Sequence, residues 1–424
     1  FIANLGKEIQ ERGKISSIVH YHNSYFVGFL MDGILLLEKQ KETDHYQIQS
    51  LPINSGVFCL KKDRFQDVVW IGTDGQGVYL YSNPLYSIKS MVLSNYTEKI
   101  ERPVRAIYLD DERTFWVGTK GNGILKIYDY EFDKNISDCR AEVLTTSNSA
   151  LSSNAVYCFA KSHRNLLWIG DEEGLTYYSY REKRIKSIPI RIGNEDFKYI
   201  HDIYETADSE LWLASVGMGV VKARIAGTPD NPVIVDAQRY VINDGELGSN
   251  YFFTIYAENE ANLLFGNKGY GVFRYNETTN GLEPVSTHKY ENMTLNNILA
   301  INKDSSNNHL FGTSYGLIKY TSETSYQLFN AKNGFLNNTI HAILRNSSDN
   351  FWLSTNLGLI NFDTKRNVFR SYGFGDGLKV VEFSDGAGFR DSRTGTLFFG
   401  GINGVVAIRA DGRPEQLYMP PVYF

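Results

Sequence analysis

The chain has 424 residues, 42% apolar and 21% charged, with a formal net charge of −5 and a pI near 6.0. That content can bury a large core, as two to three domains or as one long repeat array. No run of five or more Lys/Arg is present, so the clustered cations that a phosphate backbone demands are missing and nucleic acid is excluded as an expected partner.

The chain opens on Phe1 with no charged start and apolar run of the signal-peptide kind, and it reads as a piece of a longer sequence. No stretch approaches the roughly 18 uninterrupted apolar residues of a membrane-spanning helix. The first tryptophan lies in "VVWIGTDGQGVYLY", which returns in paraphrase as "TFWVGTKGNGILKIY", "LLWIGDEEGLTYYS" and "ELWLASVGMGVVKA". The Trp position recurs at Phe26, Trp70, Trp116, Trp168, Trp212, Leu264, Leu310, Trp352 and Phe398, in steps of 42 to 52 residues, and takes all five tryptophans. Each unit reads as an apolar strand, a polar turn, the strand with the aromatic slot, a Gly-rich turn, a third strand such as "GLIKY", and a looser outer strand. A period in the forties made only of strands specifies an all-β fold, a β-propeller of four-stranded antiparallel blades in nine units.

Nine residues before the slot, the last seven units carry Ile107, Phe159, Ile203, Ile255, Ile301, Ile343 and Phe389; ten before, they carry Ala106, Cys158, Asp202, Thr254, Ala300, Ala342 and Gly388. Alternation assigns these to opposite faces of the innermost strand, the small register facing a crowded position near the axis. Two residues after the slot stands Gly, replaced by Ala214 and Ser354 in two units, so smallness is what counts there. The Gly that opens the third strand occurs in every unit, from Gly33 to Gly404, as a left-handed turn residue would. Cys59, Cys139 and Cys158 form no CxxC, and neither a zinc site nor a disulfide framework is expected.

The repeat "LWIGT..GL..Y" resembles the two-component regulator propeller repeats of the periplasmic sensor regions of Bacteroides-type hybrid two-component systems. "EFSDGA...FFGGINGV" and the final "PPVYF" resemble the last blades of such a sensor's second propeller and the entry to an immunoglobulin-like domain. The resemblance implies a ligand-sensing periplasmic ectodomain of an inner-membrane protein, which recognises an oligosaccharide, acts as a homodimer and regulates a downstream kinase and transcription of glycan-use genes. It also implies that this fragment has no enzymatic activity. Counting seven units back from Phe398 predicts a seven-bladed C-terminal propeller over 84–418, preceded by the last two blades of another propeller over 1–83, with a break near Ser82 to Pro84 and a linker beginning at 419–424. One closed ring of eight or nine blades is the alternative. "LYSIKSMVL", Leu85 to Leu93, is the expected clasp that completes the last blade.

No catalytic group, metal ligand or cofactor is read from the residues. Asp171, Glu172, Glu173, Asp202, Glu382 and Asp385 come from different blades without repeated pairing, which fits surface charge or turn capping better than paired catalytic carboxylates. The eight histidines are scattered, none at metal spacing. Binding is better supported. The loops entering the inner strands and those joining the second and third strands emerge on one face, so residues far apart in sequence meet there. The recurring Asn154, Asn250, Asn296 and Asn338 read as turn residues, whereas a ligand does not repeat. The non-recurring Arg105, Tyr199, His201, Tyr251, Lys268, Tyr270, Tyr315 and His341 are therefore the candidate saccharide-binding residues, rings to stack on a sugar face and polar groups for its hydroxyls. The alternatives are a propeller glycoside hydrolase or lyase, and a dimerisation scaffold that binds no ligand.

Overall fold

The computed structural model describes residues 9, 11–39, 46–64, 68–81, 86–97, 100–242, 250–285, 296–322, 324–376 and 378–410. These form two compact units, one running to Ser87 together with 368–370, the other comprising 88–367 and 371–410. The expected break at Ser82 to Pro84, Leu85 of the clasp and the linker at 419–424 lie outside the described residues.

The first unit holds a four-stranded sheet (Ile15–Tyr21, Ser24–Phe29, Ile34–Lys39, Tyr46–Ser50) and a three-stranded one (Val57–Lys62, Val69–Thr73, Val78–Tyr81). The second unit holds seven four-stranded antiparallel sheets, here blades 1 to 7. Their innermost strands are Val104–Leu109, Val156–Lys161, Ile200–Glu205, Phe252–Asn259, Ile298–Lys303, Ala342–Arg345 and Phe383–Arg390. Each packs on the next, and the seventh packs on the first, which closes a ring. Blade 7 supplies only three strands of its own; Ser87–Val92 forms the fourth, against Gly404–Arg409. This is the expected clasp, and Leu93 N donates to Asn403 O at 3.1 Å beside it.

The aromatic slot explains itself by packing. Trp116 lies with Leu167, Ile169 and Tyr178 of blade 2, and Trp168 with Leu213 and Val221 of blade 3. Leu264 lies with Phe311 and Ile318 of blade 5, and Phe398 meets Phe115 of blade 1 at 4.9 Å between ring centroids. These slot residues thus face the following blade. A fully buried indole removes on the order of 200 Å² from water, roughly 5 kcal/mol as an upper bound. A carboxylate accepts its N–H in several blades: Asp110 Oδ2 at 2.9 Å for Trp116, and Glu205 Oε2 of the next blade at 2.7 Å for Trp168.

The glycine two residues past the slot faces the same neighbour. A Cβ on Gly170 would lie 2.5 Å from Cys158 Sγ and 2.9 Å from the Ile200 carbonyl, and one on Gly400 would lie 2.6 Å from Val104 Cγ1. None of these glycines has a positive φ, as the Ala214 and Ser354 replacements imply. The turn glycines are left-handed from Gly33 to Gly358, but Gly404 is not. There a Cβ would meet the Met91 carbonyl at 2.1 Å, so this glycine exists for the close approach of the clasp strand.

One expectation fails in blade 7. Gly388 pairs with Phe399 and Phe389 with Phe398, one position off the register of the other blades, because an extended bulge lies between Phe383 and Gly388. The physical cause is extra chain in the inner strand, which moves Ala387 into the place opposite Gly400, with 3.0 Å between its Cβ and a Cβ built there.

Close approach makes a direct prediction. Gly170→Ala, which meets backbone, should lower stability by about 1–3 kcal/mol, whereas Ala214→Gly at the same position of blade 3 should cost about 1 kcal/mol or less. Denaturant unfolding of both variants checks this; equal losses would contradict the packing argument.

Candidate functional site

The inner strands carry a shared irregularity that builds the site. In blades 1 to 5 the pairing skips one residue: Val104 and Ala106 pair in sequence with Thr119 and Gly118, and the same jump occurs at 156/158, 200/202, 252/254 and 298/300. The skipped residues are Arg105, Tyr157, His201, Phe253 and Leu299, each eleven before the slot. A bulge re-aims its extra side chain, and here all five line one cavity on the ring axis, about 180 Å³ in volume. His341 of blade 6 and Gly386 of blade 7 complete its wall.

Around this mouth the side chains touch in order. Asp385 Oδ2 lies 3.5 Å from Arg105 Nη1, and the Arg105 guanidinium stands 5.9 Å from the Tyr157 ring centroid. Tyr157 stacks on His201 at 4.4 Å, and His201 meets the edge of Phe253 at 5.5 Å. On the other side His341 Nδ1 lies 2.5 Å from Asp385 Oδ1, and its Nε2 lies 2.6 Å from Asn356 Oδ1. Ile107, Phe159, Ile301 and Ile343 also line the cavity, so polar and apolar groups share its wall.

The environment sets the charges. Burial pushes the Asp385 carboxyl up, but the hydrogen bond from His341 and the Arg105 guanidinium more than reverse this and hold it at about 2. His201 is pushed down to about 3, first by burial and then by Arg105 and Lys120 against the opposing pull of Asp385, so its ring is neutral near pH 7. The mouth therefore offers a fixed cation, a fixed anion, a neutral imidazole and a phenol ring within one small cavity.

The other candidates fall into distinct places. Tyr199, 42% exposed, stands on the rim with a left-handed backbone at φ 55°. That conformation is unfavourable for a bulky residue, and it is held by Tyr199 N donating to Glu172 O at 3.0 Å and Val216 N donating to Tyr199 O at 3.1 Å. Tyr251 and Lys268 form a separate pair, the ammonium 5.8 Å from the ring centroid. Tyr270 packs against the Trp212 and Phe265 cluster, and Tyr315 against the Leu264 and Phe311 cluster. The mouth thus joins Arg105, His201 and His341, with Tyr199 at its edge.

The recurring asparagines are structural. The side chains of Asn154, Asn250 and Asn338 accept from the backbone N–H groups of Thr146, Ile242 and Ala331, pinning the loops that cross between blades. Two of the acidic residues also cap backbone: Asp171 accepts from Glu173 N and Gly174 N, and Asp202 ties Ile203 N to Ile255 N of the next blade. Asp385 departs from that reading, since its carboxylate serves Arg105 and His341 across two blade boundaries. Tyr157 and Phe253 are contributors that are not among the candidate binding residues, and Asp385 reads from the sequence as surface charge or a turn cap. The register eleven before the slot would have found the first two, and the bulge in blade 7 hides the third.

No family model matches the chain. Over 140 residues, 30% of this chain, it is 31% identical to translation initiation factor 6 of Saccharolobus solfataricus, across 57% of that protein. Among solved structures, an extracellular domain from Bacteroides thetaiotaomicron, described as that of a hybrid two-component system, superposes with a TM-score of 0.61 and 23% identity over 96% of this chain. A second from the same organism, described as that of a one-component system, gives 0.60 and 18% over 95%. Virginiamycin B lyase of Staphylococcus aureus gives 0.57 and 15% over 76% of this chain and 99% of its own. The chain spans 55% and 53% of the two Bacteroides domains, about half their length. At these identities the likeness shows a shared fold.

The depressed His201 makes a testable prediction. An unfolded histidine titrates near about 6.5, so between about 6.5 and 3 the folded state resists a proton that the unfolded chain accepts, and acidification removes stability. Asp171 and Asp202, both pushed up to about 6 by burial against their hydrogen bonds, act in the opposite sense, but they remain in a His201→Gln variant and cancel in the comparison. Relative to the parent, His201→Gln should therefore gain stability as pH falls from 6.5 to 4, by at most about 1.4 kcal/mol per pH unit. Parallel urea curves across that range measure it, and a pH-independent difference would refute the buried neutral imidazole.

Proposed function

We propose that this chain is a ligand-sensing periplasmic ectodomain, part of a hybrid two-component signalling protein, that recognises an oligosaccharide at the mouth of its seven-bladed ring and regulates a kinase and the transcription of glycan-use genes. The observation that carries the reading is the mouth itself. Single non-repeating residues from successive blades converge on one cavity, with Tyr157 and Tyr199 as rings and Arg105, His201, His341 and Asp385 as donors and acceptors. Sugars present apolar CH faces beside dense hydroxyls, and this mixture suits both. The repeat motifs, and a fold shared with extracellular domains described as those of signalling systems, support the same assignment. In this reading the first unit is the end of a preceding propeller, and ligand binding favours one arrangement of subunits by a few kcal/mol.

Calorimetric titration with a panel of neutral and acidic oligosaccharides tests it. At least one should bind, and Tyr199→Ala, which removes an exposed ring without touching the core, should weaken that binding about tenfold, or about 1.4 kcal/mol. Silence across the panel, or undiminished binding by the variant, would remove the site from this mouth.

A second reading as an interaction scaffold has its own support. Leu357, Phe374 and Ile402 of blades 6 and 7 are 55%, 73% and 44% exposed, apolar side chains that a partner could cover. If they form a dimer contact, Phe374→Asp should shift sedimentation toward the monomer while leaving sugar titrations unchanged. An identical sedimentation profile for parent and variant would exclude that surface.

A further inference from the structure

The saccharide reading leaves the ligand's charge open, and the side chains at the mouth speak to it. Arg105 is nearly enclosed, its side chain 13% exposed, yet its Nε has no partner among the described residues. Its single polar contact, to Asp385, is 3.5 Å long. A made guanidinium–carboxylate bond is shorter, about 2.7–2.9 Å, and often bidentate. Asp385 meanwhile is held at 2.5 Å by His341 on its other oxygen. The guanidinium stands 5.9 Å from the Tyr157 ring centroid, with Nη1 toward Asp385 and Nε without an acceptor among the described residues. A buried donor left without an acceptor costs about 1–3 kcal/mol, more when charged, so an acceptor supplied to Nε would be stabilising.

The nearby charges are of both signs: Arg105, Asp385 and Lys120 act on the His201 ring, Glu172, Arg105 and Asp171 on the Tyr157 ring, and Asp202 is among the lining residues. Lys120 is exposed on the turn beside the mouth. The cavity of about 180 Å³ corresponds to on the order of six waters. It admits one ring-sized group, while the rest of a longer ligand would lie over the rim.

We infer that the mouth binds the carboxylate of an acidic sugar, with the Arg105 guanidinium as its bidentate partner, Lys120 as a second cation, and Tyr157 and His201 against the sugar ring. The inference rests on the saccharide reading above and adds the anionic group to it. Arg is the residue suited to this geometry, because its fork matches a planar carboxylate where an ammonium cannot.

The test is calorimetric titration of the whole chain with D-glucuronate, its methyl ester, D-glucose and acetate at low salt. Glucuronate should bind about tenfold or more tighter than glucose or the ester, and the preference should shrink as ionic strength rises. Arg105→Gln should abolish the preference, Arg105→Lys should retain only part of it, and Lys120→Ala, on the surface and safe for folding, should reduce it about two- to threefold. Equal binding of glucuronate and glucose overturns the carboxylate assignment and leaves the saccharide reading intact. Acetate binding as tightly as glucuronate supports the anion site and overturns the saccharide reading. No heat from glucuronate, or a preference that survives in folded Arg105→Gln, overturns the inference.

Discussion

Everything in the second unit depends on how closely one blade's second strand approaches the next blade's first. At Gly118 a Cβ would lie 2.8 Å from Val156 Cγ1, at Gly266 2.9 Å from Ile298 Cγ2, and at Gly312 2.9 Å from Ile340 Cγ2. Only a residue with little or no side chain fits that gap. With the gap closed, the slot aromatics and the third strands of adjacent sheets interlock farther from the axis, where there is room for an indole. Small residues inside and large ones outside give each sheet the wedge taper a ring needs.

The same tightness shapes the mouth. A regular strand this near the axis would send every second side chain into its neighbour. The repeated bulge lets one residue in each of blades 1 to 5 escape the alternation and turn into the axial cavity, beyond the glycine contact. Packing fixes the bulge's position but leaves its side chain unconstrained, so blades with nearly uniform interiors display Arg, Tyr, His, Phe and Leu in succession, and blade 6 adds His341. Fold requirements repeat around the ring, and the cavity-facing residues differ because nothing in the fold chooses them.

This also explains what could be read in advance. The slot, the glycine two residues beyond it and the clasp are periodic or complete a visible deficit, so they stand out in one sequence. Arg105, His201 and His341 stood out because they broke the pattern. Tyr270 and Tyr315 broke it too, but lean on inter-blade clusters, and no sequence rule separates a ring that covers a core from one that faces solvent. Asp385 was obscured because counting from Phe398 assumes the spacing of the other blades, and blade 7 has extra residues before its pairing resumes. Tyr157 shares the register of Arg105 and His201 at the entry to the inner strands, but it reads like the many tyrosines that pack between blades, and Phe253 carries no polar group to set it apart.

The charged pair at the mouth lies on the seam where the ring closes. Arg105 and Asp385 are 280 residues apart, one on the first blade and one on the last. Their approach exists only because Ser87–Val92 completes blade 7 and then leads the chain on toward blade 1. The segment approaching Asp385 is bound to the same clasp, since Lys379 N donates to Ser90 Oγ at 3.0 Å, and Asn403 Nδ2 donates to Lys379 O at 3.3 Å. Clasp, seam and mouth are therefore one connected set of contacts. The chain runs from the clasp on into blade 1, so this junction is crossed by a continuous chain like the others, and the discontinuity lies within blade 7, where Gly404–Arg409 and Ser87–Val92 are joined by pairing alone. A group that inserted between Arg105 and Asp385 would therefore act beside the sheet that two distant parts of the chain build together, and whose closure rests on strand pairing.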